Sequence, residues 1–580
     1  MKKLAFLVIL IIFVFGLSGI YTATAGTTSL FSPIEIEPPN EILFTIPVGE
    51  DGIHYEGVDN PDMLIWGPAA FTVAPDGTFW IADTPDDHLL HFNPNGELID
   101  KIFIGDFVIG AGDLEVASST IWVLDVASVP PKVVQLYSNG KIIGLHDLPK
   151  GLWLEDGLSG IAIGTDGSLL IERMGGHEIT QLITPEGEQN IKDLEGYEIQ
   201  GKVYSAHPAD MRENDASEGY IQAGDKRIEV SVVNDLGGLS LLHINSDGSF
   251  LAQVVELVLN KSFQVDQKVY RYDASGSLIG MARVPLASQY TTVEHGVAAG
   301  PEGEVLAMIT RPDGVEIHKL SFHSKLEPIL IPPVDEDEKE QLDDVSFVAE
   351  TCRERNLIID VAKEYFNNST YLSSYHINDN GACQGRVKPS YLGNAGYYSS
   401  VPYAWNTWDT IAQFNTFMGG GSNGYFAGHA SDTYVSCGRG IDCSGLVSRA
   451  WDLGSHYGTC SLESFSFELT SRNALQPGDI MNRCSSTPRH TLIFDSFENN
   501  GIWGYEATTE FNHDKVVRIH RDFITIPDYT PRRYNNVCMK IKLPIILKTE
   551  MEMNSAIPAS YPYPPPDSPS LSTPYPIPYP

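Results

Sequence analysis

The chain has 580 residues, too many for one hydrophobic core, so two or more domains are expected. Its formal net charge is −37 with only 38 basic residues, which argues against nucleic-acid binding and against electrostatic docking on anionic lipid. Hydrophobic residues make up 42% of the chain, enough for most of it to fold.

The first element reads as an export signal, residues 1–25. Lys2 and Lys3 precede an almost unbroken apolar run from Leu4 to Leu17, and Ala23-Thr24-Ala25 offers a small-x-small cleavage site before Gly26. An uncleaved anchor is the alternative. No cysteine follows the run, so no lipid-modified N-terminus is expected, and no other segment is apolar enough to cross a membrane. The expected location is secreted and cell-wall associated.

Residues 40–325 are built of short strands with turn punctuation. The unit FTVAPDGTFWIADTPDDHLLHFNPNGELIDKIFI reads strand, Asp76-Gly77 turn, strand, polar loop, strand, Asn95-Gly96 turn, strand. TFWIAD at 78–83 is echoed by TIWVLD at 120–125 and SLLIER at 168–173, offsets of 42 and 48 residues. Further turns fall at Asp247-Gly248, Ser275-Gly276, Glu302-Gly303 and Asp313-Gly314. A four-stranded unit with a period of ~40–45 residues predicts a β-propeller, here of about six blades. Residues 190–270 are irregular, so five to seven blades fit the sequence; a different all-β array is the alternative. The units resemble NHL-type propeller repeats. Trp80 and Trp122 are expected to pack between blades, and Asp83 and Asp125 to bind turn backbone rather than metal. The exposed face of such a propeller is a binding scaffold for a protein or glycan that the sequence does not name.

Residues 326–345, LEPILIPPVDEDEKEQLDDV, form an acidic, proline-punctuated linker. A helix is predicted from about Phe347 to Phe366. A second domain spans 346–548, and a Pro/Ser/Tyr-rich tail occupies 549–580, where no core can form. Each domain is expected to have its own core and to fold alone.

All seven cysteines lie beyond residue 350: Cys352, Cys383, Cys437, Cys443, Cys460, Cys484 and Cys538. In an oxidising compartment cysteines pair, and seven leaves at least one unpaired or bonded to another chain. The stretch GRGIDCSGLVSRAW (438–451) bears on which. Glycines crowd its start, and Leu446, Val447, Ala450 and Trp451 recur at helical spacing. A helix from about Cys443 to Leu453 puts that cysteine in the first turn, where free N–H groups and the helix dipole favour a thiolate. If Cys443 is the nucleophile, six cysteines remain to pair, in any of 15 ways. A structural disulfide partner is the bland alternative.

A reactive thiol needs a base. His490 opens the apolar strand Thr491–Phe494 and is expected to be partly exposed. The next strand, GIWGYEATTE, brings Glu506 alongside as the orienting group, with Asp495 as second choice. His429, His456, His513 and His520 read as surface residues. No cluster has metal-ligand spacing and no glycine-rich phosphate loop follows a strand, so no metal or cofactor is expected.

Asp442-Cys443-Ser444-Gly445 with Leu446-Val447, then Leu475-x-Pro477-Gly478-Asp479, then His490 heading a strand, resemble the NlpC-type cell-wall cysteine peptidases, small papain-like enzymes. The resemblance covers about residues 395–540. It implies an α+β papain-like domain behind the propeller, with Cys443 as nucleophile, His490 as base and Glu506 in the third polar position. It also implies a substrate cleft lined by Tyr403 of PYAWNTW, with Asp442 and Ser444 positioning a free amine. Asn406-Thr407 replaces the family's Gly-Gly. About 40 residues separate Tyr403 from Cys443, and this insertion is expected to add a loop over the cleft. Glu506 stands where histidine is commonest. The implied function is hydrolysis of amide bonds, in peptidoglycan stem peptides above all. The alternatives are a binding or scaffold protein with an inactive C-terminal domain, or an amidase or transpeptidase on another acyl group.

Overall fold

The computed structural model describes residues 40–329 and 352–538, except 59–63, 118–119, 153–156, 214, 261, 287–288, 432, 485–487 and 499. The expected signal, most of the linker and the tail lie outside the described residues. Among those described, no helix is long and apolar enough to cross a membrane.

The N-terminal region forms six four-stranded antiparallel sheets. The first is Ala70–Val73, Phe79–Asp83, His88–Phe92 and Leu98–Phe103, matching the strand-turn pattern of the quoted unit. The three echoed hexapeptides supply the second strands of three successive sheets, Phe79–Asp83, Thr120–Asp125 and Leu169–Arg173. Second strands are buried on both faces, which is why they carry the repeat. Closure is by exchange of ends: the N-terminal strand Glu41–Pro47 pairs with Gly314–Lys319 as the outermost strand of the last sheet. The result is a six-bladed propeller. Trp80 packs between the first two blades and stacks on His91, while Trp122 joins a cluster with Leu158 and Leu169 of the third. Asp125 accepts from the backbone N–H groups of Ile109, Gly110, Ala127 and Ser128.

The irregular middle has a physical cause. The fourth blade starts with a three-residue strand, Tyr197–Ile199, whereas the fifth has an eleven-residue hairpin pair, Phe250–Asn260 and Ser262–Tyr272. That hairpin reaches the C-terminal domain: Phe263 N–H donates to the Tyr529 carbonyl at 2.9 Å, and Asp528 N–H to that of Phe263 at 2.8 Å.

The C-terminal region has helices α1 (Arg355–Asn367), α2 (Ser374–Ile377), α3 (Ile411–Gly419) and α4 (Cys443–Ala450). Its sheet contains β1 (Ser466–Glu468), β2 (Ile480–Arg483), β3 (His490–Glu498), β4 (Gly501–Thr508), β5 (Lys515–Asp522) and β6 (Thr530–Tyr534), in the order β1-β6-β2-β3-β4-β5. Helix α1 begins at Arg355 rather than near Phe347. Cys352 is bridged to Cys538 and Arg353 pairs with Val537, which holds the preceding backbone extended. The insertion before Cys443 is not a simple loop. It folds into α3, which starts with a Thr410–Gln413 capping box, and a short parallel strand pair tied back by Cys383–Cys437.

Both faces of the sheet are buried. Ile480, Ile493 and Tyr505 face α1 and α4, packing with Ile358, Leu446 and Trp451. The alternate residues Met481, Leu492, Phe494 and Ile502 enter one cluster with Leu236, Val254, Leu257 and Phe263 of the propeller. Polar ties seal the same junction: Arg472 pairs with Asp235 at 2.8 Å and donates to the Met211 carbonyl, and Asn512 donates to that of Ile109 at 2.6 Å. Each region has clusters of its own, and this one is common to both.

Candidate active site

The site starts from a crowded turn. A Cβ at Gly445 would lie 2.6 Å from the Thr407 carbonyl oxygen, and one at Gly440, where φ is +159°, would lie 2.2 Å from that of Pro402. Glycine therefore lets α4 begin close against the 402–407 segment. Asp442 caps the helix, its carboxylate accepting from Gly445 N–H at 2.6 Å. Cys443 follows as the first helical residue. Cys352–Cys538, Cys383–Cys437 and Cys460–Cys484 are disulfides, and Cys443 is a buried free thiol.

His490, the first residue of β3, interacts with the Cys443 thiol on one side and with Glu506 on the other, where Nε2 to Oε2 is 2.8 Å. Burial is the largest influence on the ring and disfavours its charge. Tyr529, Cys443 and Glu506 together outweigh it, and the imidazole pKa is raised well above its ordinary value. The Glu506 carboxyl is pushed up by burial, but Arg521 and then His490 bring it down to about 2. Arg521 spans two carboxylates: its Nε lies 3.1 Å from Glu506 Oε1, its Nη2 bonds the same oxygen, and its Nη1 pairs with Glu510. A line of alternating charge thus runs from His490 through Glu506 to Arg521.

His490 is not partly exposed as expected; only 3% of it is accessible, and 5% of Cys443. Tyr529 lies edge-on to the imidazole at 6.4 Å between ring centres, and the propeller covers that face of the sheet. The thiol instead borders a hollow of about 50 Å³ lined by Tyr403, Asp442, Ser444, Trp405, Asn406 and His456, with Thr459 Oγ1 3.9 Å from Sγ. Tyr403, Asp442 and Ser444 are therefore on the cleft side of Cys443, and Glu506 is on the far side of His490. Asp495 does not reach His490: it sits at a register shift in β3 and pairs with Arg518 at 2.8 Å.

Two participants have no motif in the sequence. Arg521 meets Glu506 only through the pairing of β4 with β5. His456 lies in a loop beyond α4 and bonds Asp442 Oδ1 at 3.1 Å, which raises its pKa despite an opposing desolvation. His429, His513 and His520 are not surface residues either. His429 and His513 are fully buried, the former accepting from Val387 N–H at 3.0 Å, and the His520 side chain is buried under Trp503. No metal-ligand spacing was expected, yet His54, Asp83 and Asp86 offer ligand atoms within 4.8 Å of one another, His54 coming from a distant segment. Those atoms already pair among themselves and with Lys101.

No protein-family model matches this chain, and no curated protein sequence matches it. Solved structures do resemble it over about half its length. A streptogramin B lyase structure is 17% identical, covering 49% of this chain and 100% of its own, with a TM-score of 0.29. The selenomethionine-substituted virginiamycin B lyase from Staphylococcus aureus is 19% identical, covering 48% and 89%, with a TM-score of 0.27. A member of the DUF4221 family from Bacteroides vulgatus is 9% identical, covering 49% and 97%, with a TM-score of 0.31. These likenesses concern the propeller fold alone.

Proposed function

We propose that the protein is a thiol hydrolase of amide bonds, with peptidoglycan stem peptides as the first substrate class to test. The observation that carries this reading is the hydrogen-bonded series His490–Glu506–Arg521, whose histidine interacts with the one cysteine outside the three disulfides, Cys443. The raised pKa of His490 favours an imidazolium at neutral pH beside the Cys443 sulfur, the nucleophile. That sulfur attacks the carbonyl carbon of the substrate amide. The N–H groups of Cys443 and Ser444, at the start of α4, have no intrahelical acceptor and are offered to the developing oxyanion, while that of Gly445 is held by Asp442. His490 gives its proton to the departing amine nitrogen as the C–N bond breaks, leaving a thioester. Water then attacks that carbonyl carbon while His490 takes its proton, the C–S bond breaks, and a carboxylate product leaves with the thiol regenerated. Glu506 keeps the imidazole in one orientation, and Arg521 keeps Glu506 ionised.

In this reading substrate approaches through the hollow beside Tyr403 and Trp405. Asp442 and Ser444, linked at 3.1 Å and joined by His456, offer negative charge to a free amine. Three disulfides suit work in an oxidising compartment. The test is fragment mass spectrometry of purified peptidoglycan digested by wild type and by Cys443→Ala, alongside iodoacetamide labelling of the native protein. Muropeptide cleavage lost in the variant, with labelling at Cys443, is expected. Equal cleavage by the variant would sink the assignment, and an unreactive thiol would favour the scaffold alternative.

A further inference from the structure

The propeller axis is not filled. Innermost strands of all six blades surround a cavity of about 390 Å³, and the C-terminal domain closes one end through Asn500, Phe511, His513 and the Asp522–Thr525 segment. The cavity reaches toward solvent at Glu198 and His243, both exposed.

Its polar lining has one dominant sign. Asp113, Glu115, Glu172 and Glu294 line it together with Asp522, against no lysine or arginine; of its histidines, His295 has Nε2 3.7 Å from Asp113 and 2.6 Å from the Ser159 carbonyl oxygen. Glu172 accepts from the Tyr197 hydroxyl, and Glu115 from Thr72 at 3.3 Å. The second, independent sign of a missing ligand is His513. It is 1% exposed, it lines the same cavity, and neither of its ring nitrogens has a hydrogen-bond partner. Buried polar atoms without partners are rare enough to need a reason, and an absent ligand is one. Burial, reinforced by Lys515 and Arg521, holds the ring neutral, so it offers one acceptor and one donor.

The spacing favours an extended cation. Among the described residues three ligand atoms gather within 4.8 Å only at His54, Asp83 and Asp86, so these cavity carboxylates are too dispersed to share one metal ion. The wall between them is apolar, with Leu114, Leu158, Leu239 and Ile519, and suits methylene groups. We propose that the axial cavity binds a small alkyl polyamine, with ammonium groups at the carboxylates, one N–H donated to His513, and the carbon chain along the apolar wall.

The cavity's titration supports this. Burial pushes Glu115 up to about 8 and Glu172 and Glu294 to about 7, so these carboxyls hold protons near neutrality. Asp113, Glu115, Glu172, Tyr197 and His295 act on one another, and Asp522 acts on Glu172; Glu294 faces Glu510, Arg521, His295 and Asp522. A cation that ionises these carboxyls must displace protons to solvent.

The experiment is isothermal titration calorimetry of the full chain with spermidine and with 1,4-diaminobutane near neutral pH, in two buffers of different ionisation enthalpy. The expected result is a saturable one-to-one isotherm with proton release. Glu172→Gln/Glu294→Gln should weaken it at least about 10-fold, as loss of two charge-assisted bonds implies. The acidic surface also attracts polyamines, but that binding is not one-to-one and does not change in the double variant. If the variant does not fold, proton release by wild type carries the test alone. Absence of a saturable isotherm overturns the proposal. So does one without proton release, one unchanged in the variant, or tight Mg²⁺ or Ca²⁺ binding without polyamine binding. None of these readouts requires hydrolase activity.

Discussion

Glu506 holds His490 with one carboxylate oxygen and Arg521 with the other, and it is fully buried. Replacing it with glutamine keeps a hydrogen-bond acceptor for the ring but removes the charge that favours the imidazolium. In the proposed mechanism Glu506→Gln should lower kcat/KM by roughly 10- to 1,000-fold, within the ~10⁴ span of a mis-set tautomer in serine proteases. The sign of the pH effect follows. The carboxylate helps raise the His490 pKa, so its loss lowers that pKa, and the imidazolium deprotonates earlier as pH rises. The alkaline limb of the pH–rate profile should move to lower pH. Asp495→Asn, which touches Arg518 instead, should leave both rate and limb unchanged. An unmoved limb in Glu506→Gln with near-full activity would remove Glu506 from the mechanism. Of this arrangement, Cys443, His490 and Glu506 were legible because each sits at a local landmark: a helix start, a strand start, a strand after a tight turn. Arg521 was not, since in VVRIHRDF it is one polar residue of an alternating strand, and only cross-strand pairing shows which acid it meets.

Helix α4 does two things through one residue. Asp442 caps the helix and also takes His456 and Ser444 as partners. The two roles separate by substitution. Asp442→Ala should cost about 1 kcal/mol of stability, the ordinary value of an N-cap, seen as a lower midpoint in urea. Asp442→Asn should keep the cap and the midpoint; if the carboxylate receives a substrate amine, KM for peptides with a free amino terminus rises while kcat changes little. The insertion before α4 depends on its bridge. Cys383–Cys437 spans 54 residues, and replacing both cysteines by serine should lower stability by roughly 2–4 kcal/mol while leaving iodoacetamide labelling of Cys443 unchanged. At this scale the repeat was readable where blades are regular, because second strands buried on both faces must be apolar. It faded where strand length is set by something outside the blade, as in the Phe250–Tyr272 hairpin that extends to reach Tyr529. The start of α1 was misread for a related reason: Cys352 fixes the backbone there through a residue 186 positions away.

What the sequence did not show is a cluster common to the two regions, and the reason lies in the sheet. The run Thr491–Phe494 is apolar without alternation, as a strand covered on both faces must be, but the sequence does not say what covers the second face. It is the propeller. Nine buried residues of the C-terminal domain, among them Leu469, Met481, Leu492, Phe494, Ile502, Phe523 and Tyr529, sit in one cluster with propeller side chains. At the low end of about 1.5 kcal/mol for each buried side chain, exposing them would cost on the order of 10 kcal/mol, as much as a typical domain's whole stability. A fragment of residues 346–548 should therefore be insoluble or unfold far below the full chain, although it contains every residue of the proposed catalytic series. The full chain should show one calorimetric transition rather than two. Glu506 and Ile502 lie on the same face of β4, so the propeller shields the Glu506–Arg521 pair as well. Adding residues 40–329 to the fragment during refolding should then restore solubility and activity together. A soluble fragment with the full chain's melting temperature would show that the shared cluster contributes little. A soluble but inactive fragment, rescued by the propeller, would locate the propeller's contribution in the shielding of that ion pair.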